Sequence, residues 1–133
     1  MSTLGLIDLP SDMRWVDEYT WLPTASQVEV ACNGALWVEE SAQLAGRPIT
    51  LESGTDSATR HWALATRATV DALRALAAVV HAAPLVLALE DGRSFNVRFR
   101  HHDGIAVEAR PVRHIVPHHA DDFYHITLRL MQV

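Results

Sequence analysis

Eight histidines occur in a chain of 133 residues, and most lie in its last third. There His101, His102, Asp103, His114, His118, His119, Asp121, Asp122 and His125 are residue types that could ligate a metal ion. Their spacing contains no HExxH, and neighbours such as His118 and His119 point to opposite sides of an extended chain. The expectation is therefore no metal site, with loop histidines titrating near their ordinary value. Cys32 is the single thiol, and it falls on the apolar side of an alternating stretch, where a thiol acts as a small buried hydrophobe. No GxSxG, GxGxxG or GxxxxGK[ST] occurs and there is no lysine, so elbow hydrolases and phosphate loops have no support. The acid pairs Asp17-Glu18, Glu39-Glu40 and Asp121-Asp122 have no neighbouring group that would shift a pKa, and read as solvated faces. No catalytic residue, no cofactor and no enzymatic activity are expected.

Composition narrows the partners. With 49% hydrophobic and 20% charged residues the chain has the balance of one folded domain. Its formal net charge of -5 argues against a nucleic-acid binder. One cysteine allows no intramolecular disulfide. The longest apolar run, Ala75 to Ala88, is broken by His81 and Pro84 and is shorter than the roughly 20 residues of a bilayer span. Neither membrane insertion nor an export signal is expected.

The elements that must position any site follow from periodicity. Residues 1–25 show no sustained period and read as an irregular arm rich in aromatics, with Trp15, Tyr19 and Trp21 needing cover from the core or a partner. Residues 26–133 read as a single β-rich domain with one helix. Val28, Val30 and Cys32 alternate with Gln27, Glu29 and Ala31 as a half-buried strand, and Asn33-Gly34 turns the chain toward Trp37 and Val38, by a two-residue turn or a bulge. Ile49–Glu52 and the stretch around His61–Leu64 are further strands. Val70, Leu73, Leu76, Ala77 and Val80 form the stripe of a helix over about residues 67–82, capped by Thr66 or Thr69 and stopped by Pro84. Leu85–Leu89, a type I′ turn at Asp91-Gly92, and Phe95, Val97 and Phe99 form a hairpin whose outer face carries Asn96, Arg98 and Arg100. Ile105, Val107 and Ala109 repeat the period, and Tyr124, Ile126, Leu128 and Leu130 close the chain as a strand. The expected class is α+β: a mostly antiparallel β-barrel or β-sandwich braced by one α-helix. Arg98 and Arg100 either pair with acids across the sheet or line an oligomer contact or polar channel.

Several of these stretches carry a resemblance. Gly46-Arg47-Pro48-Ile49-Thr50-Leu51, Trp62 leading into Thr69 to Leu76, the hairpin Leu85 to Arg100, and Asp122-Phe123-Tyr124 into Leu128-Arg129-Leu130 resemble small tail proteins of long-tailed phages and prophages, specifically distal tail (baseplate ring) proteins. The resemblance covers about residues 26 to 133 and rests on element order and loose motifs. It implies a structural protein at the virion tail tip, assembled in the bacterial host cytoplasm, whose ring joins the tail tube to the central hub. Family rings are commonly hexamers, and many members carry a further host-facing domain, so a minimal ring-forming version is implied. The implied partners are further copies of the chain and tube, hub and tape-measure-type proteins, with Trp15, Tyr19, Trp21, Arg98 and Arg100 as candidate interface residues. Two alternatives stand beside it: a small metal-dependent enzyme or metal-binding protein using the histidine-rich third, and a stand-alone β-barrel that binds a small ligand.

Overall fold

A computed structural model describes residues 1–57 and 59–133. In chain order the strands are β1 (Thr3–Leu4), β2 (Ile7–Asp8), β3 (Arg14–Trp15), β4 (Thr24–Val30), β5 (Leu36–Ala42), β6 (Pro48–Glu52), β7 (Gly54–Thr55), β8 (His61–Trp62) and β9 (Ala65–Thr66). The helix α1 (Arg67–Ala77) follows, and then come β10 (Leu85–Ala88), β11 (Ser94–Phe99), β12 (Val107–Pro111) and β13 (Phe123–Gln132).

Alternation in β13 organises the main sheet. Its inward residues Tyr124, Ile126, Leu128 and Leu130 are all buried. Leu128 lies opposite Leu51 of β6 on one side and Val107 of β12 on the other, and Leu130 lies between Ile49 and Phe99. The result is a nine-stranded antiparallel sheet in the order β2-β1-β10-β11-β13-β6-β3, with β12 and β9 also pairing with β13. Helix α1 seals the apolar face with Val70 and Leu73. The class is α+β with a mostly antiparallel sheet and one helix, as expected. The sheet does not close into a barrel, because its terminal strands β2 and β3 are two residues each and do not pair with one another. The sheet does curl: Trp15 on the β3 edge meets Phe95 of β11 edge-to-face, with ring centroids 5.5 Å apart.

Four local expectations change. Residues 1–15 supply three short strands to the sheet rather than an irregular arm, because Leu4 and Leu9 are buried and Gly5, at φ 60°, turns the chain back against Val86. The helix ends at Ala77 instead of near 82. Ala78 caps it by donating its N–H to the Arg74 carbonyl, and His81 Nε2 donates to the Leu76 carbonyl at 2.7 Å, so Val80 leaves the stripe and is 97% exposed. The strand expected through Leu64 breaks at Ala63, whose φ of 55° is unusual for a residue with a side chain. At the Asp91-Gly92 hairpin, Gly92 has positive φ but Asp91 does not, which a type I′ turn would require. Gly92 N–H donates to the Leu89 carbonyl and Leu89 N–H to the Arg93 carbonyl, a type I turn with a glycine bulge.

Burial assigns the stability. Leu128→Ala, at a fully buried position where two strand pairings meet, is expected to cost about 2–5 kcal/mol in urea unfolding. Val28→Ala, on an exposed strand, is expected to change stability by less than about 0.5 kcal/mol.

Candidate assembly interface

Strands β4 and β5 form a two-stranded sheet of their own, paired from Thr24–Ala42 to Val30–Leu36. The turn repeats the geometry at Asp91-Gly92: Ala31 N–H donates to the Ala35 carbonyl, Gly34 N–H to the Ala31 carbonyl, and Asn33 Oδ1 accepts the Ala35 N–H at 2.9 Å. Of the two turns read at Asn33-Gly34, the bulge is the one formed, with Gly34 at φ 84°. Every residue from Leu22 to Gly46 is exposed. An isolated hairpin is marginally stable in water, and this one is exposed along its whole length and pairs with no other strand among the described residues.

Its two faces differ. Pairing places Val28 opposite Val38 and Val30 opposite Leu36 on one face, while Glu29–Trp37 and Gln27–Glu39 pairs lie on the other. Val30, Leu36 and Trp37 are 73%, 63% and 65% exposed, so the tip is an apolar surface open to solvent. Glu29, Glu39 and Glu40 are its charges, with no basic residue between Thr24 and Gly46. Cys32 is exposed in the turn. The reading of β4 as half-buried, with Cys32 on its covered side, is corrected: among the described residues no third strand pairs with this hairpin.

The five residues expected at an interface separate. Trp15 is built into the fold. Its Nε1–H donates to Asp17 Oδ1 at 2.8 Å, its ring meets Phe95, and the guanidiniums of Arg47 and Arg93 lie 4.5 and 5.3 Å from the ring centroid. Arg100 is mostly buried as well. Its Nη2 donates to Thr50 Oγ1 at 2.7 Å, and the carboxylates of Asp17 and Asp103 stand 3.9 and 3.6 Å away. Asp17 joins these two, accepting from Trp15 and from both the N–H and hydroxyl of Thr50. Trp15 and Arg100 thus meet as supports of the segment that leads into the hairpin. Tyr19, beyond them, is 90% exposed, and Trp21 is half-buried at the hairpin base. Arg98 lies apart, donating to the carbonyls of His81 and Ala82 at 2.8 and 3.4 Å.

Val28, Val30, Leu36, Trp37 and Val38 were not among the expected interface residues. The signal available in the sequence was an alternating strand, a turn at Asn33-Gly34 and an apolar run, Leu36 to Val38, just beyond it.

The histidines do not assemble into a ligand set. Among the described residues no group of three or more His, Cys, Asp and Glu side chains could hold a metal ion. His125 instead meets His61, Nε2 to Nδ1 at 3.1 Å, a contact in which one ring donates and the other must accept. Burial, then His61, then Arg110 hold His125 below the usual histidine value.

Two outcomes follow. The unfolded chain binds a proton at His125 more readily than the folded one, so this group's contribution is present at neutral pH and is lost as pH falls below about 6.5. Stability measured by urea unfolding is expected to drop between pH 7 and 5, and His125→Gln to flatten that drop. Asp17→Ala leaves the Trp15 indole N–H and the Thr50 N–H and hydroxyl without their acceptor and is expected to cost about 1–3 kcal/mol in urea unfolding. No helix is long and apolar enough to cross a membrane among the described residues. No protein-family model matches this chain, and neither a curated protein nor a solved structure matches it.

Proposed function

We propose that this chain is a non-catalytic structural subunit that assembles by seating its β4–β5 hairpin on a neighbouring copy. The resemblance to distal tail proteins supplies the setting: a ring at a phage tail tip between tail tube and hub, formed in the bacterial host cytoplasm and possessing no chemistry of its own. The observation that carries the reading is the hairpin, two seven-residue strands whose Val28, Val30, Leu36 and Val38 share one face and are left exposed by the described residues of their own chain. Ordered apolar surface held in water is unfavourable by roughly 25 cal/mol per Å², and a partner that covers it recovers that free energy. A hairpin offered to a different patch on the next subunit makes a head-to-tail contact, the kind that closes into rings. Trp21 and the exposed Tyr19 lie on the chain that leads into the hairpin, and in this reading they add aromatic contact area beside it.

Light scattering behind size exclusion, over a wide concentration range, tests this. The wild-type chain is expected to give a discrete oligomer. Leu36→Asp, which places a charge at the apolar tip, is expected to give a monomer with an unchanged circular dichroism spectrum. A wild-type chain that stays monomeric, or an oligomer that Leu36→Asp leaves intact, overturns the proposal.

A further inference from the structure

Beyond the end of α1 the chain runs through Ala78, Val79, Val80 and His81 before entering β10, and this segment overhangs β11. Between them lies an open groove of about 380 Å³, with Val97, Phe99 and Met131 on its sheet side. That volume holds a few aliphatic side chains. Val79 and Val80 are 60% and 97% exposed, so the wall is apolar and faces water. The charged and titratable groups of the lining are Arg98, His81 and His101, without a carboxylate. Arg98 donates to two backbone carbonyls, which take two of its five N–H groups and leave its charge uncompensated. No carboxylate lies within 4.0 Å of it among the described residues, although Arg100, just beyond the end of β11, has two.

The hairpin is complementary in both respects. Its tip is apolar and of side-chain dimensions, and its only charges are the carboxylates of Glu29, Glu39 and Glu40. We infer that the hairpin tip of one copy lodges in the α1–β11 groove of a second copy, Val30 and Leu36 entering the apolar part and Glu40, the glutamate that shares their face, turned toward Arg98. This rests on the assembly reading of the hairpin and identifies the surface that receives it. The groove and the hairpin are different patches, so each copy gives one contact and takes another, and the assembly propagates in one direction. Complementary charge steers the encounter and rejects other registers, while the aliphatic tip supplies most of the affinity.

Two variants of the full chain separate this inference from the reading beneath it. Leu36→Asp disables the hairpin and leaves the groove. Val80→Asp disables the groove at a position so exposed that the fold does not depend on it. Each alone is expected to weaken association by about thirtyfold or more, enough to give monomers in light scattering at concentrations where the wild type assembles. An equal mixture is expected to give a dimer and nothing larger, since one intact hairpin then meets one intact groove. Benzophenone maleimide attached to Cys32 of the wild-type chain is expected to crosslink to residues 78–85 or 97–101 of another copy.

If Leu36→Asp is monomeric but Val80→Asp assembles like the wild type, the hairpin seats elsewhere and the inference falls while the assembly reading stands. A mixture that stays monomeric, or a crosslink mapped outside the groove, has the same meaning. A wild-type chain that is monomeric throughout removes both.

Discussion

Both edges of β13 are occupied, and the rest of the fold depends on that one strand. It spans ten residues, Phe123 to Gln132, yet no neighbour matches its length. Instead β11 and β12 share one edge and β6 and β9 share the other. The relative positions of four separate chain segments are therefore fixed by a single register. Slipping it by one residue would turn Ile126, Leu128 and Leu130 to the outer face and bring Thr127 and Arg129 into the core. Burying those polar groups without partners would exceed the margin by which small domains are stable. Helix α1 inherits its place from the same strand, since Thr66, its N-cap, pairs with Phe123.

The hairpin is held by its base rather than by its length. Asp17 binds the chain entering it to Thr50 of β6, and Val16 N–H donates to the Thr50 carbonyl. Gly46 N–H, on the chain leaving it, donates to the Gln132 carbonyl at the end of β13. Arg47 then ties the two sides together: it lies over Trp15 and donates to the Glu18 carbonyl at 3.0 Å. Trp15, Asp17 and Arg47 thus act at a distance from any partner. They hold the base of an element that has no packing of its own.

What could be read from the sequence follows where one residue's surroundings are local. Alternation located β6, β11, β12 and β13, and the Val70–Leu73 stripe located the helix, because burial on one face imposes period directly. The Asn33-Gly34 and Asp91-Gly92 dipeptides marked both hairpins, although the turn type depended on the φ of Cys32, Asn33 and their counterparts, which the dipeptide alone does not determine. Val80 misled because the 3.6-residue period says which side a residue takes if the helix continues, not whether it continues; His81 bonding to Leu76 ended it first. For the candidate interface, Trp15 and Arg100 were picked by type, yet their partners Asp17 and Thr50 come from elements more than 30 positions apart. Alternation in β4 was visible, but alternation cannot tell a strand covered by its own chain from one left exposed.

An exposed hairpin with two free edges is also a hazard, because unpaired strand edges invite the same edge on another copy. Seven-residue strands carrying Val28, Val30, Leu36 and Val38 would be suited to such stacking. The charges on this hairpin oppose it. Glu29, Glu39 and Glu40 give every hairpin the same sign of charge, so two hairpins repel as they approach, and no basic residue within the hairpin relieves the repulsion. The same three carboxylates favour any basic acceptor. In the assembly proposed above, an apolar tip framed only by acids would discriminate by sign: it would disfavour its own kind and favour a surface with uncompensated arginine, turning an aggregation-prone element into a directional one.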